Sequence, residues 1–465
     1  MTPQPSRSAD QPAPSRGEPR ELTLAVGAPA HGGHCVARPV DDPSGRVIFV
    51  RHALPGETVR ARLTEMTSRT WRADAVEILQ ASPDRVESVW PEAGPAGVGG
   101  GELAHVALDA QRTWKRWVLA DCLRRIGGQE VADAVAALPE ASAAAAVPIE
   151  PMPTDAAAQA SNSARRRALA GTATRTRVSL TVGEDGRPGM HAFRSGTVLP
   201  LRRLPLAVEA ITEIGLLERS RWRAHYRPGM RIEAIAPSGG EPVVLLDERL
   251  LTAQARSTGR RRVREVVDAS ALGLGELTYS VHAEGFWQVH VDAPRVLVER
   301  VVRGALGADL DGAAGSRVLE LYSGAGLFTL PLAALVGSGG EVVSLEGNEQ
   351  AVRDARRTLH DQPSARLASG RVSARSVREL AGSLTGGRPD VVVLDPPRQG
   401  AGREVIEAVG ALGAERIVLV ACDPAALARD LGTLLRSGYA LGSMSALDMF
   451  PHTHHFETIA VLERS

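Results

Sequence analysis

From Arg317 to the C-terminus, short apolar runs alternate with helix-length stretches, and this alternation restricts the fold more than any other feature of the chain. Val318-Leu319-Glu320-Leu321, Glu341-Val342-Val343-Ser344-Leu345, Asp390-Val391-Val392-Val393-Leu394, Arg416-Ile417-Val418-Leu419-Val420 and Thr458-Ile459-Ala460-Val461-Leu462 each read as a strand. Apolar strands separated by helices build a mostly parallel, doubly wound α/β sheet. Ligands of such sheets bind in the crevice beyond the carboxyl ends of the strands. The residues that follow each run are therefore the first candidates for function.

The first run leads into Tyr322-Ser323-Gly324-Ala325-Gly326-Leu327-Phe328-Thr329. Glycines there let the backbone approach a ligand closely, although a lone Gly-x-Gly is as often a structural turn. Thr329 stands where a dinucleotide fingerprint needs its third glycine. The second run ends in Glu346, whose carboxylate can accept from both hydroxyls of a ribose. That fits a nicotinamide nucleotide and S-adenosylmethionine equally well. The run ending at Leu394 enters Asp395-Pro396-Pro397-Arg398-Gln399-Gly400. Two prolines make a stiff, extended exit with no backbone donors. A rigid acidic loop beside the cofactor crevice can grip a planar base, which points to a methyltransferase acting on a nucleobase.

Next comes Ala421-Cys422-Asp423-Pro424. Asp423 is a good N-cap and Pro424 suits the first helical position. The positive end of the helix dipole would then favour a thiolate at Cys422. A free cysteine is more often a small buried hydrophobe, so the surrounding motifs must decide. They point to chemistry that needs a thiol. C5 of uracil is a poor nucleophile until a thiolate adds at C6, after which C5 can attack a sulfonium methyl. A base must then remove the C5 proton. The segment Asp448-Met449-Phe450-Pro451-His452-Thr453-His454-His455-Phe456-Glu457 supplies one. Glu457 is the natural candidate and the histidines are alternatives.

The rest of the chain is less specific. Glu21–Val26, Gly32–Arg38, Arg46–Val50 and Glu57–Leu63 are short strands broken by Gly and Pro, as in a small β-barrel. Residues 1–20 read as a disordered tail. His105–Ile126 reads as an amphipathic helix ending at Gly127-Gly128, and Ala132–Ala146 is an Ala-rich insertion. The formal net charge is zero, so nucleic-acid binding must rest on local patches such as Arg165–Arg167, Arg175–Arg177 and Arg260–Arg264. Such runs are as often plain solvated surface. Cys35, Cys122 and Cys422 are far apart and suit a reducing cytoplasm, without disulfides or a Cys-based metal site. No signal-peptide core or bilayer-length apolar stretch is present, so no membrane partner is expected.

In these motifs the chain resembles the RNA uracil-5 methyltransferases, which make 5-methyluridine in tRNA and bacterial rRNA. Leu321–Thr329, Glu346, Asp395–Gly400, Cys422–Asp430 and Asp448–Glu457 match, as does Phe286-Trp287-Gln288-Val289-His290 upstream. The resemblance implies a C-terminal Rossmann-like class I methyltransferase sheet, an N-terminal OB-like TRAM barrel and a central α+β domain. The corresponding bounds are 21–82 for the barrel, 83–280 for the central domain and 281–465 for the methyltransferase domain. It implies that Gln288, Tyr322, Glu346 and Asp395 contact S-adenosylmethionine, that Cys422 is the nucleophile and that Glu457 is the base. It also implies a monomer acting on structured RNA.

One departure stands out. Many members of this family carry a four-cysteine iron–sulfur site after the barrel. Here Trp90, Val98 and Gly101 occupy three of the cysteine places, and the fourth falls near Leu204-Pro205-Leu206. Thiolates hold such clusters, so none is expected. The competing readings are a base-amine N-methyltransferase with a structural Cys422, a non-catalytic RNA-binding protein and a nicotinamide oxidoreductase. Thr329 and the Asp-Pro-Pro loop speak against the last.

Overall fold

The structure is a computed structural model that describes residues 21–141, 146–310 and 313–465. The expected tail and residues 142–145 of the Ala-rich tract lie outside the described residues. The chain divides into two compact units, one holding the N-terminal strands through Pro83 and the other running from Asp84 to Ser465.

In the first unit, strands Glu21–Ala30, His34–Pro39, Ile48–Arg51, Thr58–Met66 and Trp71–Gln80 close into a barrel. Period-two alternation fills it. Leu24, Val26, Val59, Ala61, Ala73 and Ala75 are buried, and most of the residues between them face water. The strand Trp71–Gln80 is not among the runs expected from sequence. Its inward residues at the start are alanines and its outer positions carry Arg, Asp and Glu, so it has little apolar signature.

The second unit is organised around an eight-stranded sheet. Its order is Ala365–Ser369, Glu341–Glu346, Arg317–Leu321, Val391–Leu394, Arg416–Ala421, Glu457–Arg464, Tyr439–Asp448 and Ile149–Pro151. The first five are mutually parallel, as the alternation with helices requires. The terminal strand Glu457–Arg464 is antiparallel to both its neighbours. Alternate residues pack on opposite faces. Val318, Val393 and Val418 join the core under helix Ala293–Leu306, whereas Leu319, Val392 and Leu419 join the core under helices Pro424–Arg436, Arg403–Ala411 and Leu108–Arg125. The strand Ile149–Pro151 and helix Leu108–Arg125 come from the middle of the chain, so that region shares this sheet's core. A six-stranded antiparallel sheet between Arg177 and Thr252 and a hairpin, Arg262–Asp268 with Glu276–His282, complete the unit. Among the described residues no helix is long and apolar enough to cross a membrane.

The arginine clusters separate into two kinds. Arg165–Arg167 lie exposed on the short helix Ala164–Ala168. Arg175 and Arg177 do not form a phosphate-binding patch. Arg177 pairs with the buried Glu265 at 3.3 Å, and the Arg175 guanidinium donates to the Gly100 carbonyl at 3.4 Å. Arg262 is likewise turned inward, onto Asp354 at 2.9 Å, leaving Arg260, Arg261 and Arg264 exposed.

Candidate active site

The carboxyl edge of the sheet gathers the sequence-derived candidates by strand order alone. The strand ending at Leu394 lies between the glycine-loop strand and the strand ending at Ala421. Asp395 is thereby flanked by the Tyr322–Thr329 loop on one side and Cys422 on the other. Thr458 pairs with Ala421 across the antiparallel ladder, and its hydroxyl donates to the Ala421 carbonyl at 2.7 Å. Continuing that register by one residue sets Glu457 opposite Cys422.

The glycine loop turns as its residues demand. Gly324 and Gly326 have φ of +56° and +88°, and Tyr322, which has a side chain, is held at +64°. Such strain in a non-glycine residue persists only where the surroundings impose it. Glu346 braces the loop by accepting from the Gly324 N–H at 2.9 Å, and it also accepts from Asn348 at 2.6 Å. Thr329, in place of the third glycine, is fully buried and donates to Glu320 at 2.6 Å, beside Ser344 at 2.7 Å. Gln288 is buried in the segment after the hairpin. The adjacent Trp287 packs on Tyr279, whose hydroxyl reaches the Leu327 carbonyl at 3.0 Å and so ties this segment to the glycine loop.

The electrostatics of this edge are dominated by carboxylates. Burial, then the charges of Asp395 and Glu346, push Glu320 up to about 7 despite its two hydroxyl donors. Burial, then Glu346, raise Asp395 to about 7. Glu457 is raised well above the ordinary carboxylate range by burial and then by Asp395, with Arg398 opposing. Its Oε1 is buried with no hydrogen-bond partner. Cys422 follows the same field. Burial, then Glu457 and Asp395, push its thiol up to about 12, against Arg398 and a backbone hydrogen bond.

That last result corrects the expectation of a thiolate. The helix does begin as read, with Asp423 capping Ala426 N–H at 2.8 Å and Pro424 in the first turn. Its dipole is outweighed by burial and two carboxyl groups. Arg398 of the Asp-Pro-Pro-Arg motif is the cation that opposes the rise at both Cys422 and Glu457, a role that the motif alone does not reveal.

An iron–sulfur cluster does not fit the residues present. Trp90, 2% exposed, shares one apolar core with Ala93, Val98, Leu204 and Leu206, and a Cβ on Gly101 would meet the Trp90 ring at 2.8 Å. Cys35 and Cys122 are buried in the barrel and in helix Leu108–Arg125, their thiols pushed up by burial. Glu102, His454 and His455 bring one potential ligand atom each within 4.8 Å of one another. Glu102 already holds the ring and the backbone N–H of His454, so the group reads as a hydrogen-bonded clasp.

This geometry sets three expectations, for metal content, core packing and thiol reactivity. Protein purified without oxygen should contain no stoichiometric iron or sulfide, and Trp90→Ala should cost about 4 kcal/mol of stability by chemical denaturation; one cluster's worth of iron would overturn the first, and a loss under about 1 kcal/mol the second. Because the thiol lies far above neutrality, the thiolate fraction climbs as pH rises. Iodoacetamide labelling of Cys422, read by mass spectrometry, should accelerate about tenfold per pH unit from about pH 7 to about pH 9. A plateau within that interval would mean that the thiolate is already formed.

Comparison with known proteins places this edge in context. Residues 275–465 match the family described as tRNA (Uracil-5-)-methyltransferase, and residues 18–76 match the TRAM domain. A Streptomyces avermitilis protein described as an uncharacterized RNA methyltransferase is 38% identical over 468 residues, covering 95% of this chain and 98% of its own. A 23S rRNA (uracil(1939)-C(5))-methyltransferase RlmD from Acinetobacter baumannii strain AB0057 is 30% identical over 459 residues, covering 94% and 92%. Among solved structures, the Pyrococcus abyssi tRNA (uracil-54, C5)-methyltransferase in complex with S-adenosyl-L-homocysteine aligns with a TM-score of 0.61 at 20% identity, covering 94% of this chain and 99% of that one. This last likeness is one of fold.

Proposed function

The chain belongs to the family of RNA uracil-C5 methyltransferases, and we propose how its own residues carry the family's reaction. The protein methylates C5 of a uridine in structured RNA with S-adenosylmethionine as donor. In our reading the substrate is an rRNA or a tRNA, and the enzyme works as a cytoplasmic monomer. Residues 21–82 serve as the RNA-binding barrel, 83–280 as a central domain and 281–465 as the methyltransferase domain. On the barrel, Arg46 over Trp71 at 5.2 Å and Arg72 over Phe49 at 5.9 Å offer the cationic, aromatic surfaces that bind RNA strands.

The charge of the site supports the donor. A nicotinamide dinucleotide would bring an anionic pyrophosphate against Glu320, Glu346 and Asp395. S-adenosylmethionine brings a sulfonium cation and an ammonium, which the buried carboxylates lack. When bound it supplies an electrophilic methyl group. Glu346 and Asp395 take the adenosine and the base side of the crevice, with Tyr322 and Gln288 beside them.

The observation that carries the mechanism is the Ala421–Thr458 pair, one residue from both Cys422 and Glu457, together with the unpartnered Glu457 Oε1. A bound cation, with Arg398, lowers the thiol and the carboxyls together, undoing the rise seen in the free protein. The target uridine must leave its stack to enter the crevice. Cys422 Sγ passes its proton to solvent and bonds to C6 as the thiolate, and the electrons of the C5–C6 double bond move toward C5 and the O4 oxygen. C5 then forms its bond to the methyl carbon as the methyl–sulfur bond breaks. Glu457 takes the C5 proton, the C5–C6 double bond re-forms, and Sγ leaves as the C6–S bond breaks.

Cys422→Ala should abolish turnover while keeping S-adenosylmethionine binding. Glu457→Gln should instead accumulate a protein–RNA adduct that survives denaturing electrophoresis. Normal turnover by either variant would end the covalent scheme. Asp395 sets a pH dependence whose sign is fixed. Its carboxyl is neutral below about 7 and anionic above, and only the anion attracts the donor. Affinity by calorimetry should therefore rise about tenfold from about pH 6 to about pH 8 with proton release at neutral pH, and Asp395→Asn should flatten it. An unchanged profile in that variant would remove Asp395 from the donor site.

A further inference from the structure

A single lysine, Lys115, stands among the 54 basic residues of the chain. Its side chain is 0% exposed, on the inner face of helix Leu108–Arg125. The ammonium pairs with Asp448, itself 2% exposed, and donates to the Phe450 carbonyl at 3.1 Å. One turn earlier in the helix, Gln111 is fully buried as well. Its Oε1 accepts the His452 N–H at 2.7 Å, and its amide nitrogen donates to His452 Nδ1 at 3.1 Å and to the Val106 carbonyl at 2.8 Å. His452 is held at φ +65°, and its carbonyl accepts from Leu103 at 2.9 Å. Two residues on, the His454 N–H donates to Glu102 at 3.1 Å.

All these ties fall on one stretch, the turn that joins strand Tyr439–Asp448 to strand Glu457–Arg464. That turn delivers Glu457. The carboxyl Oε1 has no hydrogen bond, so the backbone on either side must aim it. Beyond it, Thr458 bonds to the Cys422 strand at 2.7 Å. Before it, the aim depends on the turn. Stability alone is a weak reason to keep such a pair, since a buried ion pair is often matched by apolar residues of similar volume. In a chain that otherwise uses arginine throughout, a lysine suits a closed pocket offering one carboxylate and one carbonyl. A planar guanidinium would bring five donors to the same space.

We propose that Lys115, together with Gln111, is a positioning residue for proton abstraction. It fixes the turn through Asp448 and Phe450 so that the Glu457 carboxyl lies against C5 of the methylated ring. The proposal rests on the reading of Glu457 as the base, and the test separates the two.

Full-length protein is given RNA from a strain lacking it, labelled with tritium at uridine C5, and S-adenosylmethionine labelled with carbon-14 in the methyl group. Carbon-14 in RNA reports methyl transfer, and released tritium reports proton abstraction. In the native enzyme the two should run together in a single turnover. In Lys115→Met, methyl transfer should stay within about threefold while tritium release falls about 100-fold, with adduct building up. Lys115→Met leaves Asp448 unpaired and can fail to fold, so Lys115→Met with Asp448→Leu is measured beside it. That pair removes both charges yet still lacks the tie to Phe450, and should show the same split. Equal losses of both signals, or tritium release that keeps pace in a folded variant, would overturn the positioning role. Glu457→Gln is the control. If it released tritium at the native rate, the reading of the base itself would fall instead.

Discussion

Repulsion among buried carboxyl groups is the constraint on which the catalytic edge depends. Glu346 and Asp395 stand at the ends of parallel strands, Glu320 one residue before such an end and Glu457 at the start of the antiparallel strand, and the pKa values of Glu320, Asp395 and Glu457 are each raised by burial first and then by a neighbouring acid. A protein core does not keep such a group without compensation. Here some compensation is internal, since Thr329 and Ser344 serve Glu320, and backbone N–H groups serve Glu346. The remainder is left for a cation. The same field keeps Cys422 a thiol in the free protein.

The topology explains why the acid and the thiol meet. Parallel strands place Glu346, the glycine loop, Asp395 and Cys422 along one edge in that spatial order. A parallel terminal strand would have carried its leading residue to the opposite edge. The closing hairpin reverses direction, so Thr458 pairs with Ala421, and the residues just outside that pair, Glu457 and Cys422, come to the same edge. The general base is therefore supplied by a turn. A turn has little rigidity of its own, and the buried contacts from helix Leu108–Arg125 make good that deficit.

Much of this was legible in the sequence, and the divide between what was and what was not is physical. Local chemistry was readable. The apolar runs, the Asp423 cap with Pro424, and the helix ending at Gly127-Gly128 all depend on neighbours within a few residues. Contacts between distant segments were not. Nothing near Lys115 or Gln111 announces a partner more than 300 positions away. Arg175 and Arg177 look like Arg165–Arg167 until Gly100 and Glu265 are folded against them. The strand Trp71–Gln80 escaped because alanine fills where space is narrow, and alanine carries no strand signature. The thiol's state could not be read from the helix start, since it is set first by burial and then by charges from two other segments, the Asp395–Arg398 loop and Glu457.

The Trp90 core shows how the loop after the barrel can keep its shape without a metal cluster. Four thiolates on iron hold a loop through a few strong bonds. Here indole and aliphatic surface must do the same by area. The indole Nε1 is buried without a partner, which costs about 1–3 kcal/mol. Burying a tryptophan ring and filling the space it occupies is worth about 3–5 kcal/mol by the cost of truncating one. The apolar term outweighs the unpaired indole N–H. The loop also feeds directly into Gly101 and Glu102, and Glu102 holds the His454 end of the catalytic turn. Packing at Trp90 thus borders the segment whose Glu102 holds the His454 end of the turn that precedes Glu457.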